Sequence, residues 1–225
     1  MRILLFGDIH EDLSRLPEMA DDLRGADLVI LHGDLTNNGG GDRARAVVEK
    51  VRGYCRQVLA QPGNMDRDAA ARYLVEEGIS LHGRGYRFDR VGVFGVGGSN
   101  RTPFGTPTEY TEEELEAAMR RALDDVRDAP VKLLVSHAPP HETALDVVGG
   151  GAHVGSVSVR EFILRERPAI CVSGHIHEAR GEDRLGETRL FNTGAFGRGG
   201  YVEVTVDEDG LAAELRILGR NRGDE

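Results

Sequence analysis

The chain contains no tryptophan, only two cysteines, and an aromatic fraction of just 5%. Cys55 and Cys171 lie far apart with no paired spacing around either, which excludes a disulfide framework, a thiolate zinc site and a CxxC redox centre. Both read as reduced core thiols. Positive charge is also scarce: 28 Lys and Arg stand against 38 Asp and Glu, a net charge of −10 with no clustered basic block. A broad polyanion-binding footprint is therefore not expected, and nucleic acid is not an expected partner. Long hydrophobic runs are missing as well. The first apolar run, residues 3–6, stops at Gly7-Asp8, far short of a signal-peptide core or the roughly 20 residues of a membrane span. The expectation is a cytoplasmic protein with no membrane partner.

What the chain does have is 225 residues, 40% of them hydrophobic, enough for one substantial core, and no stretch that reads as a linker. A single domain over residues 1–218 is expected, followed by a polar tail, 219–225, that frays. Short apolar runs at 3–6, 28–31, 57–60, 131–135 and 169–172 read as buried strands. Helices are expected after Ser14 as a cap, over 43–52 and 69–77, from a Thr111/Glu114 capping box through Arg127, and over 158–167 with Ser158 as cap and Glu161 in reciprocal position. Residues 79–81, 87–88 and 91–96 read as consecutive antiparallel strands, and 189–191, 201–206 and 211–218 as closing strands. Residues 97–110 hold two Pro and three Gly without periodicity and read as a functional loop or lid.

The unusual polar residues follow the strands: Asp8 and His10, Asp34, Asn64, His137, then His175 and His177. In open α/β sheets ligands bind beyond the carboxyl ends of strands, so five strand ends would present these groups to one crevice. If 175–177 is extended, the two imidazoles share a face about 6.6 Å apart, which suits two neighbouring ions better than one chelated ion. Seven oxygen and imidazole donors exceed what one ion needs and suit manganese, iron or zinc. Two divalent metal ions are the expected cofactor.

The segments Gly7-Asp8-Ile9-His10, Gly33-Asp34, Gly63-Asn64-Met65-Asp66, His137 and Gly174-His175-Ile176-His177 together resemble the calcineurin-like metallophosphoesterases in order and context. The loop from Ser136-His137-Ala138-Pro139-Pro140 through residues 151–156 is similar to the Icc-related branch. The resemblance implies an α/β fold, a four-layer α/β/β/α sandwich of two mixed sheets. It also implies that Asp8, His10 and His177 hold one ion, that Asn64, His137 and His175 hold the other, and that Asp34 bridges them. The activity implied is phosphoesterase, specifically phosphodiesterase, acting on a small phosphate ester by attack of a metal-bridging hydroxide. The alternatives are a scaffold on the same fold, for which Met65 is the only pointer, or a nuclease.

Met65 departs from the family pattern, in which histidine at that position assists the leaving group, and a thioether cannot donate a proton. Asp66 then loses its usual partner, and His141 and His153 become candidates for the acid. Asn100 and Arg101 are candidates for phosphate binding, with ordinary surface roles the stronger expectation. His32 reads as a buried supporting group, His82 as solvated, and Asn192-Thr193-Gly194 as support beside the metals. A homo-oligomer is possible.

Overall fold

The computed structural model describes residues 1–208 and 210–219. The expected tail therefore lies, apart from Gly219, outside the described residues.

The first sheet runs Leu211–Ile217, Gly200–Val206, Arg2–Phe6, Leu28–Leu31, Val58–Ala60, its last three strands parallel and the first two joined antiparallel. The second runs Gly181–Leu185, Thr188–Asn192, Ile170–Ser173, Val131–Ser136, Val91–Val96, Arg84–Phe88, with four parallel strands between antiparallel edges. Alternation along the central strands shows why the two sheets stack. Leu133 and Val135 join Ile170, Val172 and Phe191 in one core with Ile3, Leu5 and Ile30, while Leu134, Cys171, Leu190 and Phe94 turn the other way onto helices Glu112–Asp124 and Val157–Glu166. Helices Gly41–Arg52 and Asp68–Glu76 cover the opposite side through Val47, Val48, Val51, Tyr73 and Leu74. The result is the four-layer α/β/β/α sandwich, with both sheets mixed.

Register aligns the chemistry. Val96 pairs with Ser136, Val172 with Val135, Ser173 with Asn192, and Phe6 with Leu31. The parallel strands thus end together, and the loops leaving them carry the predicted donors.

Several local expectations need correction. Ser14 caps nothing: its N–H donates to Asp12 Oδ1 at 3.0 Å, and the segment begins as a 3-10 turn, Leu16–Met19, before the short helix Ala20–Arg24. Ser156, not Ser158, caps Val157–Glu166, and the Glu112 carboxylate from the neighbouring helix accepts from the N–H groups of Val157 and Ser158. Residues 79–82 make only single bridges, Ser80 to Ala60 of one sheet and His82 to Gly95 of the other. The edge strand Gly181–Leu185 escaped sequence reading because Glu182, Asp183 and Arg184 give it the polarity of a turn, a common composition for an edge.

Candidate metal centre

Four of the donors sit in strained backbone. Asp8, His10 and Asp34 each have φ 48°, and His175 has φ 66°, values that non-glycine residues rarely adopt and that cost of order 1–3 kcal/mol each. The loops are held there by crossed hydrogen bonds: Asp8 N–H donates to Gly33 O at 2.9 Å, His10 N–H to Asp34 O at 2.9 Å, and Gly174 N–H to His137 O at 3.1 Å. Glycine is required where these turns touch. A Cβ on Gly174 would fall 2.1 Å from Asp8 Oδ2, and one on Gly63 would fall 2.1 Å from Asp34 Oδ1.

The side chains converge in two sets. His10 Nε2 and His177 Nε2 face each other at 3.4 Å, with Asp8 Oδ1 3.1 Å from the latter. His137 Nε2 and His175 Nδ1 both face Asn64 Oδ1, at 3.1 and 2.8 Å. Asp34 stands between them, Oδ2 3.7 Å from His10 Nε2 and Oδ1 3.5 Å from His137 Nε2. One donor atom each from Asp8, His10 and His177 lies within 4.8 Å of the others, and the same holds for Asp8, Asp34 and His137. The segment 175–177 is not extended as expected. Strand Ile170–Ser173 ends first, His175 turns through the left-handed region, and His177 opens a 3-10 turn, so the turn sends the two rings to different sets.

The electrostatics suit a cation. Asp8, Asp34 and Asp66 are all buried together, an arrangement that is costly unless positive charge compensates it. Burial pushes Asp8 up, but hydrogen bonding from His177 and the charge of the neighbouring imidazoles hold it well below the ordinary carboxylate range. Burial alone would lower His137, yet Asp34, Asp8 and Asp66 raise it to about 9. Burial lowers His175 and His32 to about 4, leaving neutral rings. The buried carboxylates that draw a proton onto His137 would equally draw in a divalent cation, which takes the imidazole in its neutral form. The donor set therefore fits divalent ions.

Supporting groups surround these. His32 Nε2 and Thr193 Oγ1 are 2.8 Å apart in the interior behind Gly7 and Gly174. Asn192 Nδ2 donates to Ile176 O at 2.9 Å and Leu145 O at 3.2 Å, pinning the residue between the two histidines. Asp66 is not left without partners by Met65, as the sequence suggested. Fully buried, its carboxylate accepts from Gly63 N–H, Leu35 N–H, Thr36 N–H and Thr36 Oγ1, at 2.9, 3.0, 2.8 and 2.7 Å, and so ties the Asp34 loop to the Asn64 loop. Burial and the neighbouring Asp34 charge raise it to about 6 despite those bonds. Met65 is half-buried, and its N–H donates to Asp34 Oδ1 at 2.7 Å.

His141 and His153 are brought together on one buried carboxylate that sequence reading missed. Asp146 Oδ1 is 2.6 Å from His153 Nδ1, and Oδ2 is 3.4 Å from His141 Nδ1. The available signal was an aspartate inside the otherwise apolar run 144–148. Strand Ala152–His153 pairs with Val147–Val148, which packs on the turn His177–Ala179. Asn100 spends its amide on Val154 O at 3.2 Å, and Arg101 is exposed. His82 is not solvated: its ring stacks on Tyr110 with centroids 5.0 Å apart, Nδ1 accepts from Gly97 N–H at 3.1 Å, and burial lowers its pKa.

Comparison with known proteins agrees with this geometry. The model of the calcineurin-like phosphoesterase family matches residues 1–179. An uncharacterized protein of Methanocaldococcus jannaschii is 34% identical over 197 residues, covering 85% of this chain and 87% of its own. A crystal structure from Thermus thermophilus superposes with a TM-score of 0.69 at 20% identity, covering 95% of this chain and 97% of that one. A dimetal phosphatase from Danio rerio superposes at 0.63 and 13% identity, covering 96% of each chain. At those identities the two structures speak for the fold alone.

Proposed function

This chain belongs to the calcineurin-like phosphoesterase family, and from that premise we propose that it is a dinuclear-metal-dependent phosphodiesterase acting on a small phosphate ester. The observation that carries the proposal is Asp34, whose two carboxylate oxygens face one imidazole of each donor set. Asp8, His10 and His177 would hold one ion, Asn64, His137 and His175 the other, with Asp34 shared. When bound, two such cations neutralise phosphoryl charge and activate water for in-line displacement. Manganese, iron and zinc all suit these donors.

The protein's own residues shape the rest. Asp8 accepts the His175 N–H at 3.1 Å, so one carboxylate steadies the turn that carries both terminal histidines. The Met65 side chain carries no exchangeable proton, which favours diesters whose leaving group needs little help or an acid from elsewhere. His153 is that acid in this reading, with His141 beside it. Asp146 holds His153 Nδ1, so Nε2 is the nitrogen free to deliver a proton to the departing oxygen. Of the two candidates for substrate phosphate, Arg101 is the exposed one, at the start of the 101–107 loop. Asn100 has the weaker claim because its amide is engaged.

Met65 also favours a second reading, a metal-binding scaffold with little catalysis. The two are separated by assaying purified protein with manganese, iron or zinc on an activated aryl phosphodiester and on the matching monoester. Turnover of the diester, abolished by Asp34→Asn and His175→Ala, is expected. A wild-type protein silent across all metals and esters would refute the enzymatic reading, and salt-insensitive turnover without duplex DNA binding would set aside a nuclease.

A further inference from the structure

Segment 97–110 is not a free lid. Gly98 N–H donates to Pro62 O at 2.8 Å, Thr108 N–H to Asn64 O at 3.0 Å, Thr108 Oγ1 to Asp66 O, and Ser99–Asn100 pairs in parallel with Glu109–Tyr110. It is fastened near both ends to the loop that carries Asn64. Within it, one oxygen gathers three donors: Glu109 Oε1 accepts from Thr102 Oγ1 at 2.6 Å, Thr106 Oγ1 at 2.6 Å and Thr106 N–H at 2.7 Å. Thr106 Oγ1 in turn accepts from Asn64 Nδ2 at 3.1 Å.

The direction of these bonds has only one solution. A hydroxyl has one proton and two lone pairs, and an ionised carboxylate only accepts. Burial would raise Glu109, but the threonine hydroxyls and amides hold it down at about 2, so it is ionised at neutral pH. The Thr106 proton is therefore committed to Glu109, and Thr106 presents a lone pair to Asn64. Only the amide nitrogen of Asn64 can face that lone pair. Turned over, the amide would set Oδ1 against an oxygen with no proton to offer. Asn64 Oδ1 is thereby aimed at His137 Nε2 and His175 Nδ1.

We propose that Thr106 and Glu109 are positioning residues that lock the Asn64 carboxamide oxygen-inward and thus build the ion site of Asn64, His137 and His175. The inference rests on the reading of Asn64 as a ligand. It makes a loop outside the family's metal motifs part of that site. Partners that orient metal ligands typically contribute about 10–100-fold in affinity.

The test is calorimetric titration of manganese into metal-stripped protein, with thermal melts to verify folding. Wild type should bind two ions. Thr106→Val should weaken one binding event about 10–100-fold and leave the other unchanged, Thr106→Ser should restore it, and Glu109→Ala should reproduce the loss. The double variant Thr106→Val/Glu109→Ala should be no worse than Thr106→Val alone, because both cut one chain of bonds. Wild-type affinity for both ions in folded Thr106→Val and Glu109→Ala, or equal weakening of both events, would overturn the inference and leave the metal centre standing. A wild type that binds fewer than two ions would instead remove the reading of Asn64 and the inference with it.

Discussion

Asp66→Asn isolates what holds the Asp34 and Asn64 loops at their spacing. The Asp66 carboxylate uses Oδ1 for the N–H and hydroxyl of Thr36, and Oδ2 for the N–H groups of Leu35 and Gly63. Asparagine retains one oxygen, which keeps the Thr36 pair, and places an NH2 against the other two donors. Each backbone N–H left buried without an acceptor costs about 1–3 kcal/mol, or roughly 2–6 kcal/mol for both. Removing a buried charge that already sits beside Asp34 returns part of that. The expected net destabilisation is about 2–4 kcal/mol, a fall in Tm of roughly 5–15 °C for a chain of this size. Urea denaturation of wild type and variant, both in chelator, measures it without any contribution from metal. A variant within about 0.5 kcal/mol of wild type would refute the bracing role.

Gly174→Ala forces a methyl to 2.1 Å from Asp8 Oδ2 and should abolish binding of the ion that Asp8, His10 and His177 would hold in the proposed centre, as read by metal content after dialysis. If His153 supplies the leaving-group proton, His153→Ala and Asp146→Asn should cut turnover of diesters with poor leaving groups about 100-fold or more while sparing activated aryl diesters. Equal effects on both substrate classes would argue against that role. Glu109 is held at about 2 in the folded protein against an ordinary 4.5. Its bonds to Thr102 and Thr106 therefore stabilise the 101–107 loop fully above about pH 4.5, and that contribution is lost as pH falls toward 2. The protection factor of the Thr106 amide should fall over that window, and in Glu109→Ala it should be low at every pH.

The layers and the convergence of Asp8, His10, Asp34, Asn64, His137, His175 and His177 were legible because each rests on a strong local signal: apolar runs of strand length, and Asp, Asn or His soon after them. Where the signal was weaker, the structure differed. The capping pattern at Ser158 was real in composition, but Ser156 lies one turn-forming step earlier and Glu112 arrives from another helix, a contact no local pattern encodes. The strand-like spacing of His175 and His177 concealed a left-handed turn that strain at a polar crevice makes tolerable. Asp146, Thr106 and Glu109 act through partners that are close in space and unmarked in sequence, although Thr106-Pro107-Thr108-Glu109 does carry the Thr-x-x-Glu spacing of a reciprocal cap. Among the described residues no helix is long and apolar enough to cross a membrane.

The most direct test of the metal centre is anomalous diffraction at the manganese edge from crystals grown with that ion. Two peaks roughly 3.5–4 Å apart are expected, one among Asp8, His10 and His177, the other among Asn64, His137 and His175, with Asp34 touching both. A single peak, or peaks away from Asp34, would contradict the account.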